Sequence, residues 1–254
     1  MSNVLEIEQN GNIAVLTMNR PDKRNAMNET LLCALEDYFY KPPQDVRVVI
    51  LTGTAGHFCS GLDLSEHVSR SAEENLHHSR RWHRLMDQIQ SGGVVVVSAM
   101  FGAVIGGGLE IATSTHVRIA EKSTVFQLPE GRRGIFVGGG ATFRVGRILG
   151  ADRMVEMMLT GRKYDSATGV SLGLAHYECE DGAALALAHE LAGKIARNAP
   201  MSNYLIVNSI PHAENMSSAD ALYAESLAAA LSQTTEDATE GLQAYLEKRA
   251  PKFS

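Results

Sequence analysis

The stretch Gly102-Ala-Val-Ile-Gly-Gly-Gly-Leu-Glu-Ile-Ala112 decides how the centre of this chain folds. It follows a mostly β-branched apolar run at residues 94–101, which is too short to span a membrane and is typical of a buried strand. Three consecutive glycines then let the backbone turn sharply and approach a ligand or another segment closely. The apolar residues that follow favour a helix. The stretch therefore predicts a strand, a tight turn and a helix that carries one acid, Glu110, near its start.

A second acid, Glu130, stands beside another glycine-rich stretch, Glu130-Gly-Arg-Arg-Gly-Ile-Phe-Val-Gly-Gly-Gly140. A carboxylate next to closely approachable backbone is suited to proton transfer, because water can be excluded there and pKa values can be pushed apart. Glu110 and Glu130 are therefore candidates for an acid and a base that act on one small substrate.

Outward from this centre, strands alternate with helices, and the end of the chain is helical. A β-hairpin is expected over residues 4–18, with a turn at Asn10-Gly11, and a strand over residues 46–52. Short strands are expected at residues 117–120 and 124–126. Helices are expected over residues 28–40, 65–90, 145–149, 153–159, 183–196, 203–210, 219–231 and 236–248. This order indicates an α/β core with a helical C-terminal region.

Composition narrows the class of protein. The chain has 254 residues, 44% of them hydrophobic, and a net charge of -6, which argues against a general nucleic-acid or anionic-membrane binder. Cys33, Cys59 and Cys179 form neither a disulfide framework nor a metal motif. His77, His78 and His83 lack the spacing of helical metal ligands, so no metal site is predicted. With no signal-like or membrane-length apolar run, a cytoplasmic enzyme is expected.

Four motifs in order resemble the crotonase (enoyl-CoA hydratase/isomerase) superfamily. They are Arg20-Pro-Asp-Lys-Arg-Asn-Ala-Met27, His57-Phe-Cys-Ser-Gly-Leu-Asp-Leu64, the stretch 102–112 and Glu240-Gly-Leu-Gln-Ala-Tyr-Leu-Glu-Lys-Arg249. The resemblance extends over nearly the whole chain. It implies a crotonase-like spiral of ββα turns in residues 1–195, which would hold the active site. It also implies a helical region in residues 196–254 that closes the pocket and supports homotrimers or dimers of trimers.

The resemblance also implies a mechanism. The backbone N–H groups of Leu62 and Gly107 would form an oxyanion hole for a thioester carbonyl, and Glu110 and Glu130 would hold a water and add it across the C2–C3 double bond of an enoyl-CoA. Gly138 would help to position that water, with Val137 standing where the family usually has proline. Which glutamate protonates C2 stays open at this point.

Contacts to coenzyme A are implied in the same way, and no other cofactor is expected. The family contacts its nucleotide at positions that correspond to two loops and to the C-terminal helix, the latter often from a neighbouring subunit. These positions are Lys23, Arg24, Ala26, Asp63, Leu64, Ser65, Tyr245 and Lys248.

Three alternatives have the same fold but a different reaction or function. The stretch 128–140, followed by residues 157–164, also resembles the branch that hydrates methylthioacryloyl-CoA, in which hydration leads on to thioester hydrolysis. An enoyl-CoA isomerase is a second alternative, although isomerases often lack one of the two glutamates. The third is an RNA-binding relative without activity, against which the acidic composition argues.

Overall fold

The computed structural model describes residues 4–66 and 70–254 and contains two β-sheets surrounded by helices. The strands are β1 (Leu5–Asn10), β2 (Ile13–Met18), β3 (Val48–Gly53), β4 (Val95–Met100), β5 (Ala103–Ile105), β6 (Val117–Glu121), β7 (Val125–Gln127), β8 (Tyr164–Asp165) and β9 (Tyr177–Cys179). The helices are α1 (Glu29–Tyr40), α2 (Ala72–Ser91), α3 (Gly107–Ser114), α4 (Ala141–Leu149), α5 (Ala151–Thr160), α6 (Ser166–Ser171), α7 (Ala184–Ile195), α8 (Pro200–Ala213), α9 (Ser218–Gln233) and α10 (Glu236–Leu246).

The larger sheet has the strand order β1-β2-β3-β4-β6-β9. β1 and β2 form the predicted antiparallel hairpin, and every later pair in this sheet is parallel. The smaller sheet has the order β5-β7-β8. Successive turns of the chain thus add a strand first to one sheet and then to the other, which builds the predicted spiral.

The passage from the larger sheet to the smaller one requires a glycine. Gly102 lies between β4 and β5 with φ +55°, and a Cβ atom there would lie 2.0 Å from the carbonyl oxygen of Gly56. Cys59 pairs in parallel with Val104 on β5. This close approach brings the loop around residue 60 against the start of the central stretch.

Two apolar clusters hold the layers together. The larger cluster contains the apolar face of α2, formed by Trp82, Leu85, Met86 and Ile89 as the helical spacing predicts. The smaller cluster lies on the other face of the large sheet, where the alanines of α7 pack against Val48, Ile50 and Val97. Small side chains on α7 allow close packing of this helix on the sheet.

The predicted start of α2 is wrong. Residues 64–66 form a separate 3₁₀ turn, and the helix begins at Ala72, so only residues 72–90 of the predicted 65–90 are confirmed as helix, while residues 67–69 lie outside the described residues. The Ser71 hydroxyl accepts the N–H of Glu74, and the Glu74 carboxylate accepts the N–H of Ser71. This capping box fixes the first turn, and its Ser-x-x-Glu pattern is visible in the sequence.

Three short strands were not predicted. β5, β8 and β9 have only two or three residues each, which is too short for an alternating pattern to be read. Their pairing partners lie far along the chain, so tertiary contacts rather than local sequence produce them.

The C-terminal helices carry many exposed apolar side chains. α8 packs against α2 and β4, and α9 packs on α8, yet no residue of α9 is buried. Leu222, Tyr223 and Leu227 are among its exposed apolar residues. No helix in the described part of the chain is long and apolar enough to cross a membrane. The division at residue 195 stays a prediction.

Candidate active site

A cavity of about 370 Å³ lies between α2, the start of α3 and the loop at residues 130–139. Both predicted glutamates, both predicted oxyanion-hole residues and Gly138 line it. The full lining is Gly61, Leu62, Leu64, Arg70, Asn75, His78, Ser79, Trp82, Gly106, Gly107, Glu110, Glu130, Arg133, Ile135, Phe136, Val137, Gly138 and Gly139.

The N–H of Leu62 is held in a fixed direction by the backbone on either side of it. Met27 donates its N–H to Gly61 (2.7 Å) and accepts the N–H of Asp63 (2.9 Å). In such a parallel bridge the residue between the two bonded groups directs its own N–H to the opposite side. Among the described residues, the Leu62 N–H has no acceptor.

The N–H of Gly107 is free for a different reason. Gly107 is the first residue of α3, and the first N–H groups of a helix have no partner inside it. Gly106 precedes it with φ +55°, a backbone conformation that favours glycine. A Cβ atom on Gly61 would lie 3.1 Å from the Gly107 nitrogen, so the two segments approach closely. The cavity therefore has two neighbouring backbone donors with no acceptor among the described residues.

Glu110 is buried and tied to the loop opposite. Its Oε1 accepts the N–H of Gly139 (2.7 Å) and of Ala141 (3.1 Å), and its side chain is 4% exposed. Burial raises the pKa of Glu110 above its ordinary value, while these two hydrogen bonds and the nearby charge of Arg144 act in the opposite direction. Hydrogen bonds from N–H groups favour the ionised carboxylate.

Glu130 is equally buried, and the backbone N–H that acts to lower its pKa is its own. It opens a 3₁₀ turn, is 6% exposed, and its Oε2 has no hydrogen-bond partner among the described residues. Burial, with a further contribution from the negative charge of Glu110, raises the pKa of Glu130 to about 7. Since two buried carboxylates in one cavity resist double ionisation, the geometry favours Glu110 as the charged member and Glu130 as the protonated one.

Gly138 lies beside the pair and is fixed by α2. Its carbonyl oxygen accepts the Ser79 hydroxyl at 2.7 Å. Glu110 accepts the N–H groups of Gly139 and Ala141, and the backbone N–H of Gly138 lies close enough to lower the pKa of Glu110 as well. The predicted role of Gly138 in positioning a water stays a prediction.

Arg144 binds the glycine-rich segment at residues 138–140 and connects it to α2. Its buried guanidinium donates to Asp87 (2.6 Å), to Gln90 (2.7 Å) and to the carbonyl oxygen of Gly139 (3.5 Å). Sequence reasoning did not find Arg144, Gly139 or Ala141, because the direction of a backbone N–H and the partners of a distant arginine depend on tertiary contacts.

The loop with Lys23, Arg24 and Ala26 packs directly on residues 60–62, which carry the Leu62 N–H and are called the oxyanion segment. Ser60 donates its N–H to the carbonyl oxygen of Arg24 (3.0 Å) and its hydroxyl to that of Lys23 (3.1 Å). Lys23 and Arg24 are exposed near Leu62, whereas Ala26 is buried. The two cations are thus placed beside the oxyanion segment.

Asn25 holds that loop in place and was also missed by the sequence reasoning. It is fully buried with φ 56°, and its amide donates to the carbonyl oxygens of Thr54 (3.0 Å) and His57 (2.7 Å). Asparagine tolerates the left-handed conformation better than most residues, which is the one local signal available in the sequence.

The carboxylate of Asp63 is hydrogen-bonded within the protein. It accepts hydrogen bonds from Arg20 (2.8 Å) and from the hydroxyl (2.6 Å) and N–H (3.0 Å) of Ser65. Burial acts to raise the pKa of Asp63, but these hydrogen bonds more than offset it, and the pKa lies at about 2. Leu64 lines the cavity, and Ser65 is exposed and also accepts from Lys23 at 3.3 Å.

Tyr245 and Lys248 are not brought to the cavity within this chain. Both are exposed, at the end of α10 and just beyond it, and neither lines the cavity. Their predicted contact with coenzyme A would require a neighbouring copy.

Comparison with known proteins decides the family. The sequence matches the enoyl-CoA hydratase/isomerase family over residues 8–254. The chain belongs to this family. Enoyl-CoA hydratase EchA19 of Mycobacterium tuberculosis is 30% identical over 97% of this chain and 95% of its own. The mitochondrial enoyl-CoA hydratase domain-containing protein 2 of Mus musculus is 35% identical, over 96% of this chain and 85% of its own.

Solved structures agree with this family membership. The crystal structure of a putative enoyl-CoA hydratase from Rhodopseudomonas palustris superposes with a TM-score of 0.94 at 43% identity, covering 96% of this chain and 95% of the other. The crotonase fold, predicted from four motifs, is confirmed, and enzymes of this family act on acyl-CoA thioesters.

Proposed function

We propose that this protein is an enoyl-CoA hydratase that adds water across the C2–C3 double bond of a 2-enoyl-CoA. The observation that carries the proposal is one cavity that holds two buried carboxylates and two backbone N–H groups without acceptors among the described residues. Water addition beside a thioester needs a base, an acid and donors for the developing oxyanion, and this cavity contains all three.

The proposed reaction assigns one role to each group. The thioester carbonyl accepts the N–H groups of Leu62 and Gly107, which stabilise the enolate oxygen. Ionised Glu110, held by Gly139 and Ala141, takes a proton from water as the water oxygen bonds to C3. Protonated Glu130 gives its proton to C2. The reaction ends with Glu110 protonated and Glu130 ionised, and exchange of one proton with solvent restores the start.

Coenzyme A binding is part of the same proposal. Lys23 and Arg24 are exposed beside the oxyanion segment, where their charges suit the phosphates of the nucleotide. Ala26, Asp63, Leu64 and Ser65 would supply the wall and backbone of this subsite, because the Asp63 carboxylate is already bound by Arg20 and Ser65.

We also propose that the protein forms homotrimers, alone or in pairs. α9 buries none of its residues within one chain although Leu222, Tyr223, Leu227 and Leu231 are all exposed, and such an apolar face is covered in a stable assembly. A neighbouring copy would then bring Tyr245 and Lys248 to the coenzyme. Leu227→Glu should lower the mass measured by size-exclusion chromatography with light scattering; an unchanged mass would remove α9 from the interface.

The direct test is hydration of crotonyl-CoA, followed by the loss of ultraviolet absorbance of the conjugated thioester. A thiol reagent in the same assay reports free coenzyme A, which would be released only if hydrolysis follows hydration. Hydration without release supports the proposal. Absence of hydration with crotonyl-CoA and with longer 2-enoyl-CoA thioesters would refute it.

A further inference from the structure

The wall of the cavity carries two cationic side chains, one just before α2 and the other on the opposite loop after Glu130. Besides Glu110 and Glu130, the described lining residues include two arginines, Arg70 and Arg133, and no acid. A cavity that receives a plain hydrocarbon chain has no need of either guanidinium.

The polar side is a continuous stripe on and before α2. Asn75, His78, Ser79 and Trp82 all line the cavity, and their spacing of three and four residues puts them on one helix face. A rise of about 1.5 Å per residue puts Asn75 roughly 10 Å along the helix from Trp82. A Cβ atom on Gly107 would lie 2.8 Å from the Trp82 ring, so the tryptophan end of the stripe is beside the oxyanion hole. The Asn75 end is therefore distal to the reacting atoms.

The backbone of Arg70 lies at this end, and its guanidinium extends to Glu29, which also binds His78. The Asn75 amide donates to the carbonyl oxygen of Arg70 at 3.3 Å, which keeps the two residues adjacent. The Arg70 side chain is 19% exposed, and its only ion pair among the described residues is with Glu29, at 3.5 Å. Glu29 also binds Arg81 at 2.5 Å and His78 at 3.2 Å. Glu29 thus shares its single charge among several donors, and Arg70 has the longest of these contacts.

The opposite side of the cavity is apolar. Ile135, Phe136 and Val137 line it from the loop after Glu130, together with Leu64. Arg133, on the same loop, is exposed and forms no ion pair among the described residues, and its charge acts to lower the pKa of Glu130. An acyl chain with an apolar middle and an anionic end matches this division.

We propose that the preferred substrate is a 2-enoyl-CoA whose acyl chain ends in a carboxylate, which Arg70 binds with help from Asn75. A guanidinium binds a carboxylate through two parallel hydrogen bonds, and each charge-assisted bond is stronger than a neutral one. This inference rests on the proposed hydratase function and adds the substrate class.

The test compares thioesters of equal length. Values of kcat/KM are measured for 2-hexenoyl-CoA and 2-octenoyl-CoA and for their analogues with a terminal carboxylate. The wild-type enzyme should prefer the carboxylate by at least tenfold at one of these lengths. Arg70→Gln should reduce this ratio at least fivefold.

Arg80→Gln is the matched control, because Arg80 is an exposed arginine on the same helix that does not line the cavity. It should leave the ratio unchanged. A wild-type ratio of one or less at both lengths overturns the inference and needs no variant. So does a ratio that Arg70→Gln leaves unchanged, with circular dichroism confirming that the variant is folded. Absence of hydration with all four thioesters would instead refute the hydratase function.

Discussion

Substituting Glu130 by glutamine tests the assignment of the proton donor with almost no change in volume. Glu130 faces the cavity, and its Oε2 has no protein partner among the described residues. The amide cannot give a proton to C2, whereas the carbonyl oxygen of the substrate still meets Leu62 and Gly107. We expect kcat to fall while acyl-CoA binding changes little.

The size of the effect follows from the pKa of Glu130. An ordinary glutamate with a pKa of 4.5 would be protonated in about one molecule in 300 at pH 7, whereas a pKa of about 7 makes roughly half of the molecules competent donors. A positioned acid of this kind contributes about 10²–10⁴-fold to the rate. Glu130→Gln should therefore lower kcat for crotonyl-CoA by about 10²–10⁴-fold at pH 7.

The pH dependence of the free energy of unfolding tests the pKa of Glu130 independently of the kinetics. The raised pKa means that folding favours the protonated carboxyl of Glu130. The contribution of this group to the free energy of unfolding is therefore complete below pH 4.5 and is lost as the pH rises through about 7. The rise in pKa from 4.5 to about 7 corresponds to about 3 kcal/mol. Glutamine does not titrate, so the free energy of unfolding of the variant relative to wild type should increase by about that amount between pH 4.5 and pH 8.

The two assays are hydration kinetics and urea unfolding of both proteins at several pH values. Every other titrating group is shared by the two proteins, and Glu110 is coupled to position 130, so the difference between them reports the titration of this pair. A variant that keeps more than a tenth of the wild-type kcat would show that Glu130 is not the donor. A stability difference that does not vary with pH would show that the pKa of Glu130 is not raised by burial.

Three further predictions concern other parts of the site. Because the reaction needs one proton on the glutamate pair, kcat/KM for hydration should fall about tenfold per pH unit above pH 7, and a profile that stays flat between pH 7 and pH 9 would contradict this. Gly107→Ala places a Cβ 2.8 Å from Trp82 and displaces an oxyanion donor, so kcat should fall about 100-fold, whereas Gly193→Ala, with open space around it, should not affect it. Asp63→Asn removes a carboxylate whose pKa is about 2, so the free energy of unfolding at pH 7 should fall by about 2 kcal/mol, and this loss should shrink as the pH falls from about 4 to about 2.

The central features of this protein are encoded locally. The β-branched apolar run before Gly102 favours a buried strand, and three glycines followed by helix-forming residues favour a turn and a helix start, as the structure has them. The sequence therefore placed Glu110 at the start of a helix and Glu130 in a loop, and the four motifs identified the family. Helix α2 shows the limit of periodicity, because its start depends on a capping box rather than on apolar spacing.

Only the tertiary structure distinguishes the surroundings of the two glutamates. Both acids lie beside glycine-rich segments, and the sequence treats them alike. Folding brings the N–H groups of Gly139 and Ala141 to Glu110 and leaves the Oε2 of Glu130 without a partner. A pKa depends on desolvation and on the donors within hydrogen-bonding distance, and both are set by segments distant in the chain. The same reason explains why the polar stripe on α2 becomes a candidate substrate contact only once the loop at residues 130–139 lies opposite it.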